Sequence, residues 1–129
     1  MARKTFLLAD DATFIRKILR DMIEQNENYT VIGEAGDGKE AVEKATVLQP
    51  DVMTMDITMP EMDGFEALPL IISKSPRTKV IVVSAIANQE QILKALRRGA
   101  VDFIMKPFDK NRVYEVINKI LNNDYEEAP

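Results

Sequence analysis

Four short apolar runs in the sequence are each followed by a residue with a chemically active side chain. In chain order these residues are Asp10 with Asp11, Asp56, Ser84 and Lys106. If the four runs are parallel strands, their carboxylates, hydroxyl and ammonium group meet at one edge of a sheet, which is where open α/β folds place their sites. This convergence is the main evidence for a function in the sequence.

The three carboxylates define the chemistry of such a site. Gathered within about 5 Å, they would repel one another by roughly 3 kcal/mol per pair at an effective dielectric constant near 20. A bound divalent cation offsets this repulsion. Because the chain contains no His and no Cys, its oxygen ligands select a hard ion such as Mg²⁺. Since Mg²⁺ keeps several waters and bridges to phosphate oxygens, an open site of this kind indicates phosphoryl chemistry.

Each side chain has a role in that chemistry. Asp56 is left as the nucleophile, since a carboxylate can accept a phosphoryl group to form an aspartyl phosphate. Lys106 would supply positive charge to the phosphoryl group, and the Ser84 hydroxyl would donate a hydrogen bond to one of its oxygens. Taken singly, each residue has a plain structural explanation as a helix cap, a strand-end polar residue or a solvated turn. Four such coincidences at consecutive strand ends would be needed, so the joint order favours a site.

Composition narrows the class of protein. A chain of 129 residues suits one compact domain, and its formal net charge of −4 argues against nucleic-acid binding, which depends on dense Lys and Arg. No apolar stretch approaches the roughly 18 residues of a spanning helix, and no secretory signal is recognisable, so we expect a cytoplasmic protein without a membrane partner. The absence of Cys and His excludes disulfides, thiolate catalysis and imidazole bases.

Strand-like and helix-like segments alternate five times, which is the pattern of a doubly wound parallel sheet. The predicted strands cover residues 6–9, 29–33, 52–55, 80–83 and 103–105, and the second suits an edge of the sheet. The first and last helices each carry an apolar stripe at 3.6-residue spacing. The stripes consist of Phe14, Ile15, Ile18, Leu19, Met22 and Ile23, and of Val113, Val116, Ile117, Ile120 and Leu121.

The other helices are marked by residues at their ends. Asp37 and Asn88 are typical N-caps and predict helices that begin just after them, and Gly99 suits the C′ position of the fourth helix. Pro69 falls inside the third helical segment, GFEALPLIISK, where it removes a hydrogen-bond donor and clashes with the preceding turn. We therefore expect that helix to start near Leu68 or to bend there.

These segments together resemble the receiver domain of two-component response regulators, over about residues 4–121. LLADD resembles the acidic-pair segment of that family, and TMDITMPEMDG resembles its phosphoacceptor loop, with Pro60 and Gly64 at the family's spacing. VSA and FIMKPF resemble its hydroxyl and lysine segments. The resemblance implies a flavodoxin-like α/β fold with five helices and a five-stranded parallel sheet in the order 2-1-3-4-5. The receiver domain would cover residues 1–123, with an acidic tail over 124–129.

The resemblance also implies roles for individual residues. Asp56 would be the phosphoacceptor. Asp11 and Asp56 would bind Mg²⁺ with the backbone carbonyl of Thr58, and Asp10 would assist through water. Lys106, after which the family has a cis bond to proline, and Ser84 would contact the phosphoryl group. Phe103 would be the aromatic switch residue.

The mechanism implied is a two-state switch rather than an enzyme with a separate substrate. A partner histidine kinase presents a phosphohistidine, because this chain has no histidine of its own. The new phosphoryl group draws Ser84 inward and lets Phe103 turn in, which changes the surface of the fourth helix, fifth strand and last helix. Ile86 and Thr58 would flank the path of attacking water. Since an apolar Ile cannot orient water, we expect slow self-dephosphorylation and a separate phosphatase.

The output of the switch leaves several alternatives open. A stand-alone regulator of the CheY-like chemotaxis type, acting on a flagellar motor switch protein or another effector protein, is favoured because the chain stops just after the last helix. A phosphorelay intermediate and the receiver part of a DNA-binding response regulator remain alternatives. An aspartate-nucleophile phosphatase would need a second Asp where Thr58 stands. A flavin site is disfavoured because the carboxylates of DDATF repel phosphate unless a metal intervenes.

Overall fold

The computed structural model describes residues 3–85 and 88–122 of the chain. Five strands alternate with five helices along it. The strands are β1 (Lys4–Ala9), β2 (Tyr29–Ala35), β3 (Val52–Met55), β4 (Lys79–Ser84) and β5 (Asp102–Met105). The helices are α1 (Thr13–Glu24), α2 (Gly38–Leu48), α3 (Gly64–Lys74), α4 (Gln89–Arg97) and α5 (Lys110–Leu121). Within these ranges, none of the helices combines the length and the apolar character needed to cross a membrane.

The sheet is parallel, with the strand order β2-β1-β3-β4-β5. This confirms the predicted fold and the predicted edge position of β2. β2 lies on one side of β1 and β3 lies on the other, so the strand order reverses between β1 and β3. Ligands of open α/β sheets bind beyond the carboxyl ends of the strands at such a switch point. β1 and β3 are paired from Phe6 opposite Val52 to Ala9 opposite Met55. The residues that follow the two strands, Asp10 and Asp56, are therefore level with each other.

Both faces of the sheet are covered by helices, which explains why the central strands are continuous apolar runs rather than alternating ones. On one face, side chains such as Leu7 and Met53 pack with α2, α3 and α4. On the other face, Phe6, Val52 and Ile81 pack with α1 and α5. Each face has its own apolar core, and the two cores hold the strand ends in a fixed arrangement.

The predicted starts of α2 and α4, and the predicted end of α4, are confirmed. The side chain of Asp37 accepts a hydrogen bond from the Glu40 backbone N–H at the start of α2, and Asn88 accepts one from Gln91 at the start of α4. Gly99 follows the C-cap of α4 with a φ of 118°. L-residues with a Cβ rarely adopt such an angle, so glycine is the residue suited to that position.

Helix α3 begins at Gly64, so the prediction that it starts near Leu68 is wrong. The helix is initiated by a capping box, in which the Asp63 side chain accepts from the Glu66 backbone N–H and the Glu66 side chain accepts from the Asp63 backbone N–H. This reciprocal pair satisfies two of the donors that a helix start leaves open. The cap therefore fixes the first turn, and the proline falls in the second.

Pro69 is accommodated inside α3 by a contact from another helix. Because proline has no N–H, the carbonyl of Phe65, four residues earlier, loses its helical donor. Arg98, at the end of α4, donates a hydrogen bond to that carbonyl over 2.9 Å. A side chain distant in sequence thus replaces the missing bond, which the helical pattern by itself does not indicate.

Phe14 does not belong to the buried stripe of α1, contrary to the prediction, because its side chain is 71% exposed. Leu19 and Ile23 are buried, and Ile15 lies one turn before them on the same side of the helix. Phe14 precedes Ile15 by one residue, which rotates it by about 100° away from this row. It therefore projects into solvent at the start of the helix, close in sequence to the acidic pair.

Candidate functional site

The strand ends bring the predicted carboxylates together. One carboxylate oxygen from each of Asp10, Asp11 and Asp56 lies within 4.8 Å of the others. The Asp56 backbone N–H donates to the carbonyl of Ala9 over 3.0 Å, which ties the acceptor strand to β1 just before the acidic pair. Asp10 is 2% exposed and Asp56 is 7% exposed, whereas Asp11 is open to solvent. The cluster is thus a partly buried, open-sided site.

Lys106 is the cation of the site. Its Nζ donates to Asp10 Oδ2 over 2.7 Å and to Asp56 Oδ2 over 3.0 Å. Burial acts to lower the pKa of Lys106, but its hydrogen bonds to the two carboxylates outweigh burial and raise that pKa. The bond between Lys106 and Pro107 is cis, as the family resemblance implied. The two hydrogen bonds thus hold a charged lysine against Asp10 and Asp56.

Asp10 is held from several directions. Its Oδ1 accepts from the Ala12 backbone N–H over 2.9 Å, and its own N–H donates to the carbonyl of Ala35 in β2 over 3.0 Å. Burial raises the pKa of Asp10, and the bonds from Lys106 and Ala12 oppose that rise only in part. A second cation beside this carboxylate would further favour its charged form.

Ser84 and Phe103 lie on β4 and β5, the two strands that follow β3 in the sheet. Ser84 ends β4 and is 1% exposed, and its carbonyl accepts from the Lys106 backbone N–H over 2.9 Å. Phe103 in β5 is 6% exposed, so the structure has its ring directed into the core. The Phe103 carbonyl accepts a hydrogen bond from Arg112 of α5 over 3.1 Å. Phe103 thus lies on the strand that leads to Lys106, and Ser84 lies on the strand paired with it.

The loop after Asp56 is held by two glycines. The Gly64 N–H donates to the carbonyl of Ile57 over 2.7 Å, and a Cβ at Gly64 would overlap the carbonyl oxygen of Asp56. A Cβ at Gly38, at the start of α2, would overlap the carbonyl oxygen of Met62. Because both contacts are to backbone, a larger residue at either position must displace the acceptor loop. The role of Gly38 was missed by sequence reasoning, since α2 is remote from the loop in the chain.

Two predicted residues are less closely defined. Thr58 lies in the loop after Asp56 and is exposed. Ile86, predicted to tune dephosphorylation, lies outside the described residues, as does the acidic tail over 124–129.

The donor set fits a magnesium ion. Three carboxylates and one ammonium leave a formal charge of −2 at the cluster. A divalent cation would neutralise that charge, and carboxylate oxygens are the ligands that Mg²⁺ prefers. The open side at Asp11 leaves room for the waters and phosphate oxygens that Mg²⁺ retains in its shell. The site can therefore bring a phosphoryl group to a carboxylate nucleophile flanked by positive charge.

Comparison with known proteins agrees with this geometry. The model of the response regulator receiver domain matches residues 6–118 of the chain. Chemotaxis protein CheY of Thermotoga maritima is 49% identical over 117 residues, which are 91% of this chain and 97% of that protein.

Solved structures give the same picture. The response regulator domain of Thermotoga maritima CheB is 42% identical, with a TM-score of 0.84 over 98% of this chain and 99% of that one. A chain of the CheX-CheY-BeF3-Mg²⁺ complex from Borrelia burgdorferi is 33% identical, with a TM-score of 0.87 over 93% of this chain and 90% of that one. From its sequence match, its strand order and its acidic cluster, the chain belongs to the response regulator receiver domain family.

Proposed function

We propose that this chain is a signalling switch that accepts a phosphoryl group on Asp56 from the phosphohistidine of a histidine kinase. The observation that carries the proposal is the acidic cluster with its lysine: carboxylates within 4.8 Å of one another and Lys106 Nζ 3.0 Å from Asp56. Asp56 is preferred as acceptor because of its place in the sheet. It follows β3, which lies between β1, the strand before the acidic pair, and β5, the strand before Lys106. The group that is changed is a residue of this chain and not a separate substrate, so we class the chain as a signalling protein rather than an enzyme.

The transfer forms one bond and breaks another. A carboxylate oxygen of Asp56 bonds to phosphorus while the phosphorus–nitrogen bond of the partner's phosphohistidine breaks, and the electron pair remains on the partner's imidazole. Asp11, Asp56 and the Thr58 carbonyl would hold Mg²⁺, with assistance from Asp10. The bound ion would neutralise negative charge on the phosphoryl oxygens. Lys106 would then exchange its bond to Asp56 for one to a phosphoryl oxygen, and Ser84 would donate its hydroxyl to another.

The output surface adjoins the switch residues. A groove of about 470 Å³ lies between α4, β5 and α5, with Phe103 in its wall beside Ile92, Leu96, Met105 and Phe108. A change in the Phe103 side chain would therefore alter the groove directly. Leu96 is 40% exposed and Met105 is 51% exposed, so apolar contact area is available to a partner before any change occurs.

We further propose that the switch operates in chemotaxis in the cytoplasm, with a flagellar motor switch protein as effector. The Thermotoga maritima relative is named a chemotaxis protein, and the Borrelia burgdorferi complex pairs a CheY with CheX, BeF3 and Mg²⁺. In this proposal residues 1–123 form the receiver domain and residues 124–129 an acidic tail. Removal of the phosphoryl group would need a separate phosphatase.

A binding experiment tests this proposal. The chain is treated with acetyl phosphate and Mg²⁺, and its affinity for a purified flagellar motor switch protein of the same organism is compared with that of the untreated chain. We expect at least tenfold tighter binding after treatment, a free-energy change of about 1.4 kcal/mol.

A matched pair of variants locates the surface. Leu96→Lys should abolish the gain, whereas Val47→Lys, on the 80% exposed apolar side chain of α2, should preserve it. Equal affinity of treated and untreated chains would contradict the chemotaxis proposal. Transfer of the phosphoryl group to a histidine phosphotransfer protein would favour a phosphorelay instead.

A further inference from the structure

Arg16 of α1 connects the acidic pair to the edge strand β2. Its Nη1 donates to the backbone carbonyl of Asp10 over 2.5 Å, and its Nε donates to Glu34 Oε1 over 2.8 Å. The Arg16 side chain is 16% exposed, so most of it is held within the protein. The guanidinium therefore joins the loop that carries Asp10 and Asp11, two predicted metal ligands, to the neighbouring strand β2.

The anchor at Glu34 is itself fixed. Arg20 donates to Glu34 Oε2 through Nη2 over 2.7 Å and through Nε over 3.0 Å, and Lys44 donates to the Glu34 backbone carbonyl. Burial alone would raise the pKa of Glu34, but the hydrogen bonds from Arg20 and Arg16 outweigh it and lower that pKa. Glu34 is thus a charged, oriented carboxylate that sets the position of Arg16.

The Asp10 carbonyl needs such a donor. Ala9 is the last residue of β1 that is paired with β2, so the Asp10 carbonyl lies beyond the strand pairing. This carbonyl is half of the peptide unit between Asp10 and Asp11. Its bond to Arg16 therefore fixes the plane of that peptide. The Cα of Asp11 lies in the same plane, and the Asp11 side chain branches from it. Asp11 is the exposed member of the cluster.

We propose that Arg16, anchored by Glu34, is a positioning residue that orients Asp11 for binding Mg²⁺. The inference rests on the proposed function, since it assumes the magnesium site at the acidic cluster. Groups behind metal ligands commonly change metal affinity by tenfold or more when they are removed. Here the group acts through a backbone carbonyl, which distinguishes it from Lys106, whose contacts are to the carboxylates themselves.

Charge and position predict opposite effects, which makes the proposal testable. A guanidinium near a cation site disfavours the cation, so loss of its charge alone would tighten Mg²⁺ binding. Loss of the oriented peptide would weaken Mg²⁺ binding. Arg16→Lys separates the two effects, because lysine keeps the charge but lacks the planar fork that contacts Asp10 and Glu34 together.

The experiment is a calorimetric titration with Mg²⁺ alone on the full chain, with Arg16→Lys and Arg16→Gln as test variants. Lys17→Arg and Lys17→Gln are matched controls, because Lys17 follows Arg16 on α1 but its side chain is 72% exposed and pairs with Asp21 rather than with Asp10 or Glu34. We expect Arg16→Lys to bind Mg²⁺ about tenfold more weakly than wild type. Arg16→Gln should bind it more weakly by a smaller factor, because the lost charge offsets part of the effect, and both Lys17 variants should stay within about twofold of wild type. Thermal unfolding of all four is measured in parallel, since a merely structural role would lower stability without this difference in affinity.

A second measurement needs no metal. Hydrogen exchange of the Ala12 backbone N–H in the metal-free protein should be faster in the Arg16 variants, because that N–H bonds to Asp10 and depends on the same loop. Unchanged or tighter Mg²⁺ binding by Arg16→Lys, with normal binding by wild type, would overturn the positioning role and leave the proposed function standing. Absence of Mg²⁺ binding by wild type would overturn both.

Discussion

The ammonium of Lys106 lies 3.0 Å from Asp56 Oδ2, so the phosphoacceptor candidate is already paired with a cation of the protein itself. The same ammonium lies 2.7 Å from Asp10. Any metal ion that uses these carboxylates must share them with the lysine or displace it. Lysine and Mg²⁺ are thus competitors in the resting site and partners once a phosphoryl group supplies additional oxygens.

Lys106→Met should therefore tighten Mg²⁺ binding in the unphosphorylated chain. Two unit charges at about 4 Å interact by roughly 1 to 4 kcal/mol in water-exposed to near-surface environments, and the low end of that range corresponds to about fivefold in affinity. The measurement is a Mg²⁺ titration of both proteins, with Lys110→Met as a control at a nearby exposed lysine. Unchanged or weaker binding by Lys106→Met would show that the lysine does not oppose the metal.

Gly38→Ala should disturb the acceptor loop. The added Cβ would overlap the Met62 carbonyl oxygen, and backbone cannot yield as a flexible side chain does. We expect a loss of stability of about 2 kcal/mol and slower phosphorylation by acetyl phosphate. Gly36→Ala is the control, because the nearest atom to its Cβ would be Arg16 Nη1 at an ordinary 3.7 Å. Equal stability of the two variants in urea unfolding would contradict this account of Gly38.

Thr54→Val should stabilise the protein. Thr54 is 2% exposed in β3, and within the described part of the chain its Oγ1 has no hydrogen-bond partner. Valine has nearly the same shape, so the substitution removes the cost of burying a hydroxyl, about 1 kcal/mol. Urea unfolding measures the change.

Thr78→Val provides the opposite case. The Thr78 hydroxyl donates to the Pro50 carbonyl over 2.6 Å and bonds to Ser75 over 2.6 Å. We expect its loss to destabilise by about 1 to 3 kcal/mol. A destabilised Thr54→Val protein would indicate that the Thr54 hydroxyl is satisfied by a group such as buried water.

The arginine-bound Glu34 predicts a dependence of stability on pH. Its folded-state pKa lies below the ordinary value of 4.5, because Arg20 and Arg16 outweigh the effect of burial. Its contribution is present above that ordinary value and is lost as the pH falls through the folded-state pKa. Glu34→Gln should therefore cost about 1 kcal/mol at pH 7, and the difference from wild type should shrink in the acidic range. Glu27→Gln, at an exposed carboxylate, should show no such difference at either pH.

The sequence was sufficient to predict the assembly of the candidate site. Runs such as 52–55 and 80–83 are continuously apolar because helices cover both faces of the sheet, and parallel strands place their carboxyl ends on one edge. The polar residues after these runs had to meet there. Asp10, Asp11 and Asp56 accordingly form one cluster with Lys106.

The errors and omissions concern contacts between distant segments. The start of α3 was misplaced because the cap at Asp63 prevailed over Pro69, whose effect is compensated by Arg98 from another helix. Phe14 was assigned to a buried stripe because of its apolar spacing. Such spacing does not show which residues of the helix the sheet actually covers. The bond from Arg16 to Asp10 depends on a long side chain whose partner only the folded chain defines.

The most direct test of the central claim maps the acyl phosphate. The chain is incubated with acetyl phosphate, with and without Mg²⁺, the product is reduced with borohydride, and the modified residue is identified by mass spectrometry. The account predicts modification at Asp56 that requires Mg²⁺, is absent from Asp56→Asn, and is retained by the exposed-site control Asp21→Asn, whose carboxylate is 63% exposed on α1. Full phosphorylation of Asp56→Asn, or modification at another residue of the wild-type chain, would contradict it.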